Sequence, residues 1–363
     1  MRFRLTSLVA VLALVITACG ATTSDTTAAP DEDTTTSLAV DAPDATLLSY
    51  SLASGDTFVY EVEINQNIVL TSDGEGAGFT GETDEMPGEA NVDLVTTGTY
   101  EFVVADGPEP GTYEVTITGE LGDVSATGTV DGEPLAEEDI PSFAEMEPVS
   151  MTVIVDELGN VIPDDPSGED PFEGLFGGMG DLGTGAVPGA QLGQFFGPPF
   201  SEDEVTVGDT WSTSFDTPGL TEEPITTSVT STVTGTDEIG GNDVLVIETS
   251  TLVGAFDFDF GDFLIGMFAG FMPDDLSEEE QAEMDALMEE FRFLMSFDET
   301  QSDSTTYFDP AAGLTRQFDV SSTSGIGMDV NFPDEETGEL AAFAMKVSIS
   351  QSVSHRLLEG PAA

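Results

Sequence analysis

From Thr57 to Leu70 the chain reads TFVYEVEINQNIVL, and its apolar and polar residues alternate. Phe58, Tyr60, Val62, Ile64, Ile68 and Leu70 share one parity, while Glu61, Glu63, Asn65 and Asn67 share the other. Successive side chains of a strand point to opposite faces, so this pattern predicts a strand with one dry face and one wet face. The same alternation recurs at Tyr113–Ile117, Val149–Val155 and Phe343–Ile349. Several of these runs are longer than the typical strand of about five or six residues. Long one-sided strands suit a strongly curved antiparallel sheet or half-barrel.

A faint repeat organises the pattern. Gly55-Asp56-Thr57-Phe58 opens one strand region, and Gly208-Asp209-Thr210-Trp211 opens another, an offset of 208 − 55 = 153. Asp156-Glu-Leu-Gly159 closes a region, and Asp309-Pro-Ala-Ala-Gly313 closes another, an offset of 313 − 159 = 154. Two markers at nearly one spacing imply two related halves, 45–165 and 201–358, joined by a Gly/Phe-rich connector at 166–200. Gly-Asp supplies turn chemistry, and the aromatic residue that follows starts the inward parity. Trp211 therefore reads as core first and as a ligand contact second.

One insert, 256–298, departs from the strand pattern. It begins with the aromatic run Phe256–Met272 and continues as an expected amphipathic helix. Ser277 and Glu280 form a capping box. Met284, Leu287, Met288, Phe291, Leu294 and Met295 recur at helical spacing as an apolar stripe. An amphipathic helix beside a curved sheet usually plugs or covers it. The functional alternative is a pliable lid hinged at Gly254, Gly261, Gly266 and Gly270, since Met and Phe adapt to irregular apolar ligands. Phe263, Met267, Phe268, Phe271, Met284, Met288 and Phe291, with Trp211, are then the candidate ligand contacts. The expected fold class is mainly β (α+β): a long curved antiparallel sheet of two related halves, with a helix inserted in the second.

The extreme N-terminus gives an address. Arg2 and Arg4 precede an apolar run, Leu5–Ile16, and small residues follow. That is the form of a secretory signal peptide over 1–18, and the run is too short to span a bilayer. Ile16-Thr17-Ala18-Cys19 resembles the bacterial lipobox, and Cys19 is the sole cysteine of the chain. The resemblance implies that Cys19 carries a diacylglyceryl group and becomes the new N-terminus. Cleavage after Ala18 with a free thiol is the other reading. Two acyl chains anchor a protein stably. The span 19–44 is Thr-, Ala-, Asp- and Pro-rich and reads as a flexible tether of roughly 25–30 Å.

Two further resemblances bear on the folded part. Gly197–Trp211, with its Val205-x-Val207-Gly-Asp-Thr-Trp211 motif, is similar to the start of the second half in a family of bacterial lipoprotein domains. Asp309–Leu314 fits a turn of that family, so the likeness covers 200–320. It implies no particular activity. The architecture loosely resembles LolA/LppX-type carriers, which wrap a curved sheet around a lipid-sized cavity.

Charge and chemistry narrow the classes. Six basic residues stand against 71 acidic ones, a formal charge of −65, and loss of Arg2 and Arg4 makes it 4 − 71 = −67. Nucleic acid and anionic lipid headgroups are excluded as favourable partners. Solubility in a salty medium accounts for much of such an excess, and a cationic partner is the specific alternative. His355 is the sole histidine and lies on the dry parity near the end of its strand. A histidine-dependent triad and a His/Cys zinc site have no support. Asp257, Asp259 and Asp262 carry oxygen ligands but not the spacing of a calcium loop. No phosphate-binding glycine motif occurs, and neither cofactor nor metal is expected. The leading expectation is a non-enzymatic, membrane-tethered extracytoplasmic lipoprotein that binds or carries an apolar ligand. Its rival is an envelope structural or protein-binding module with a packed interior. A hydrolase using paired carboxylates is the weakest reading.

Overall fold

The computed structural model describes residues 45–73, 88–135, 149–162, 199–217, 225–259, 292–333 and 340–360. They hold fourteen strands: β1 (Thr57–Asp73), β2 (Glu89–Asp106), β3 (Thr112–Val130), β4 (Glu133–Pro134), β5 (Val149–Asp156), β6 (Val161–Ile162), β7 (Thr210–Thr217), β8 (Ile225–Ile239), β9 (Asn242–Val253), β10 (Phe256–Asp259), β11 (Arg292–Phe297), β12 (Thr300–Asp309), β13 (Leu314–Pro333) and β14 (Leu340–Glu359). All pair antiparallel in one sheet. Its main path runs β6-β5-β3-β2-β1-β14-β13-β12-β9-β8-β7, and the sheet does not close.

The expected strands form because each can bury one parity. Phe58, Val115, Val153 and Val347, taken from four separate runs, are all buried. Cross-strand register puts Phe58 opposite Phe102 and Val115 opposite Val153, so they share the core face. Apolar clusters occupy both ends of that face. One gathers Phe58, Phe102, Val115, Val155, Val233, Ile247 and Phe308. The other gathers Ile68, Leu70, Val92, Val330, Val347 and Ile349.

The two halves repeat at the level of single hydrogen bonds. In path order, β5-β3-β2-β1 is matched by β12-β9-β8-β7. Gly55 N donates to Val104 O at 2.8 Å and Val104 N to Asp56 O at 2.9 Å; Gly208 N donates to Val233 O at 2.7 Å and Val233 N to Asp209 O at 3.0 Å. Asp156 Oδ1 accepts from Leu158 N and Asn160 N, each at 2.9 Å, as Asp309 Oδ1 accepts from Ala311 N at 3.0 Å and Ala312 N at 2.9 Å. β14, the last strand of the second half, joins the halves: it pairs β1 on one side and β13 on the other.

The segment 45–53 clamps the two repeated turns together. Tyr50 N donates to Glu157 O at 2.7 Å and Ser51 N to Gly313 O at 2.9 Å. Gly313 has φ +66, and a Cβ there would lie 2.4 Å from the Ser51 Cβ, so no other residue fits. Leu48, Tyr50 and Leu52 are buried. The Tyr50 ring stacks on Phe200 at 4.8 Å, and Phe200 meets Phe308 edge-on at 4.6 Å.

The insert corrects one expectation. Leu294 and Met295, expected on a helical stripe, lie on β11, which pairs with β10 and β13. A short aromatic segment gains ladder hydrogen bonds and the stacked Phe256–Phe297 pair (4.4 Å) by joining the sheet, and this outweighs its helical periodicity. No helix occurs among the described residues. The rest of the predicted helix lies outside them.

Candidate functional site

Register across β1, β14, β13, β12, β9 and β8 sets side chains in rows that alternate between the faces of the sheet. On the solvent-facing side one row reads Glu63, Ser354, Asp319, Thr305, Glu248, Thr232. The next reads Asn65, Ser352, Ser321, Asp303, Ser250, Thr230. The sheet bends so that these rows, Glu63 at one end excepted, line a polar trough with a cavity volume of about 710 Å³. Six strands at their usual spacing make it roughly 24 Å wide.

Hydrogen bonds order the trough without using up its acceptors. Asp319 accepts from Ser354 Oγ at 2.6 Å and from Gln317 Nε2 at 2.7 Å. Gln301 Nε2 donates to Ser250 Oγ at 3.1 Å and to Asp303 Oδ1 at 3.2 Å. Each carboxylate keeps lone pairs beyond these bonds. Among the described residues, no basic one lines the trough. Arg356, on the neighbouring row of β14, is paired with Glu61.

The core face carries a second polar feature. The row Gln66, Gln351, Ser322, Ser302, Thr251 crosses it between the apolar clusters. Gln66 Nε2, Gln351 Oε1, Ser324 Oγ, Thr306 Oγ1 and Thr227 Oγ1 are buried and have no hydrogen-bond partner among the described residues. Alternation of polarity did not reveal Gln66 and Gln351, because both sit on the dry parity. The available signal was an amide interrupting an apolar run on each of two strands.

At one end of the molecule the aromatic core is filled: Tyr50, Phe58, Tyr60, Phe102 and Leu314 leave a hollow of about 20 Å³. Burial pushes the Tyr50 and Tyr60 hydroxyls well above the ordinary tyrosine range. Tyr60 Oη donates to Thr315 O at 3.0 Å. Asp309 pairs with Arg316 at 2.7 Å. Burial works to raise the Asp309 carboxyl, but hydrogen bonds from Arg316, Ala312 and Ala311, with the guanidinium charge, hold it below the ordinary carboxylate range.

Of the sequence-predicted contacts, Trp211 is half-buried against the aromatic core and donates its indole N–H to Pro199 O at 2.9 Å. Phe263, Met267, Phe268, Phe271, Met284, Met288 and Phe291 lie outside the described residues, as do Cys19 and the tether. His355 is buried between Tyr100 and Phe318, with ring centroids 6.2 and 5.9 Å away. Asp257 lies on β10, and no group of metal-ligating side chains converges among the described residues. No helix among them is long and apolar enough to cross a membrane, which says nothing of a β-barrel.

No family model and no curated protein matches the chain. Structural similarity is weak. An outer membrane channel from Pseudomonas putida F1 aligns with 88% of this chain and 100% of its own, at 8% identity and a TM-score of 0.18. OccK7 (OpdD) of Pseudomonas aeruginosa aligns with 84% of this chain and 100% of its own, at 7% identity and a TM-score of 0.19. OccK5 (OpdH) of the same organism aligns with 83% and 99%, at 7% identity and a TM-score of 0.17.

Proposed function

We propose that this chain is a non-enzymatic, extracytoplasmic binding module tethered to the membrane through a lipidated Cys19, and that it engages its partner through the polar trough. The carrying observation is the contrast between two spaces. The trough offers about 710 Å³ lined by Asn65, Glu248, Asp303, Asp319 and many hydroxyls, whereas the hollow in the aromatic core holds about 20 Å³. An ordered array of hydrogen-bonding groups on a stiff sheet suits recognition, since little side-chain freedom is left to lose on binding. A photo-crosslinking residue placed at exposed Ser321 is expected to give a discrete adduct in the native envelope, and one at exposed Glu101 is not. Adducts at position 101 with none at 321 would remove the trough from consideration.

A second reading, a carrier of an apolar ligand beneath the Phe/Met-rich insert, has one observation in its favour. Gln66, Gln351 and Ser324 present unpartnered polar atoms on the core face, and a ligand with a neutral polar group would satisfy them.

A further inference from the structure

We infer that the trough takes an extended, cationic peptide segment laid across the strands. This rests on the trough being the binding face. Both of its rows place carboxylates in the trough: Glu248 and Asp319 from one, Asp303 from the other. Register makes Glu248 and Asp319 the two cross-strand neighbours of Thr305, and Asp303 sits two residues along β12 from that threonine. The negative charge is thus shared across three adjacent strands in a concave surface, where field lines concentrate.

The basic side chains that the structure describes are paired elsewhere. After Ala18 the chain has four basic residues, Arg292, Arg316, Lys346 and Arg356. Arg316 pairs with Asp309 at 2.7 Å, Lys346 with Asp298 at 3.2 Å, and Arg356 with Glu61. None of these three lines the trough. Among the described side chains the trough's carboxylates therefore meet no counter-charge.

Shape selects among cationic partners. A width of roughly 24 Å matches about seven residues of extended chain at some 3.4 Å each. Between the carboxylates stand Ser250, Ser321, Ser352 and Thr305, whose hydroxyls both donate and accept, as a peptide backbone requires. A compact monovalent cation would use none of this length. Exposed ion pairs are weak singly and screened by salt, so three together give a modest affinity that falls as ionic strength rises.

The test is calorimetric titration of the full folded chain with heptalysine at low and physiological salt. Wild type is expected to bind, and the triple variant Glu248→Gln, Asp303→Asn, Asp319→Asn to bind about tenfold more weakly or worse. A control triple with the same loss of charge at exposed positions of the first half, Glu101→Gln, Glu114→Gln, Glu120→Gln, is expected to stay within about twofold. Equal weakening in both triples would mean that bulk charge alone attracts the peptide, and the inference falls. If wild type ignores heptalysine while Ser321 still crosslinks a partner, the cationic class is wrong and the trough reading stands. If both fail, both are overturned.

Discussion

Gln66 and Gln351 show how one residue type departs from its neighbourhood. They are register partners on β1 and β14, and each faces inward with less than a tenth of its surface exposed. Ile64, Ile68, Val353 and Ile349 flank them along their strands. An unpaired buried polar atom costs about 1–3 kcal/mol, whereas replacing both members of such a pair by apolar groups of similar shape is close to neutral or stabilising. The double variant Gln66→Leu, Gln351→Leu is therefore expected to gain about 1–2 kcal/mol in chemical denaturation. A loss of similar size would mean that the amides are satisfied and hold the structure.

The Asp309 turn between β12 and β13 belongs to the scale of elements. One carboxylate caps the backbone N–H groups of Ala311 and Ala312 and grips Arg316. Gly313, at the end of the same turn, lets the 45–53 segment pass close by. Asp309→Asn is expected to cost about 2–3 kcal/mol near neutral pH, because it weakens charged hydrogen bonds at a buried site. The sign of the pH dependence follows from the lowered carboxyl. Its contribution is present above the ordinary carboxylate range and is lost as pH falls through the depressed folded value. Denaturation of wild type and variant should thus differ by a constant amount above about pH 5 and converge in stronger acid. A difference that persists unchanged at low pH would show that Asp309 acts through packing alone. The matching turn at Asp156 uses Asn160 in place of a cation, with Nδ2 to Oδ2 at 2.8 Å, so the halves share geometry and differ in charge.

At the scale of the whole molecule, charge and sheet come together. The whole chain carries a formal charge of −65, and its strands are otherwise rich in Ser and Thr. Because β14 of the second half pairs β1 of the first, one continuous ladder joins the two halves. The clamp at 45–53 contributes Leu48, Tyr50 and Leu52 to the most aromatic part of the core. Cys19→Ser is expected to shift the protein from the membrane fraction to the soluble fraction without altering its β-sheet circular dichroism. Retention of the variant on the membrane would contradict lipid anchoring.

Much of the sheet was legible along the chain. The dry parity of β1, β3, β5 and β14 and the paired Gly-Asp and Asp-turn markers are local features, because alternation and turn chemistry depend on neighbours in sequence. The ending of the expected helix was misread at Leu294 and Met295, since their periodicity fits a helix while β13 offered a ladder that the sequence cannot display. The trough was illegible for the same reason. Glu248, Asp303 and Asp319 are ordinary wet-face residues in their own strands, and Gln66 and Gln351 are 285 positions apart by number (351 − 66). Sequence determined which side of each strand avoids water. Only the tertiary register decided which strands lie side by side, and thereby which scattered polar residues form one surface.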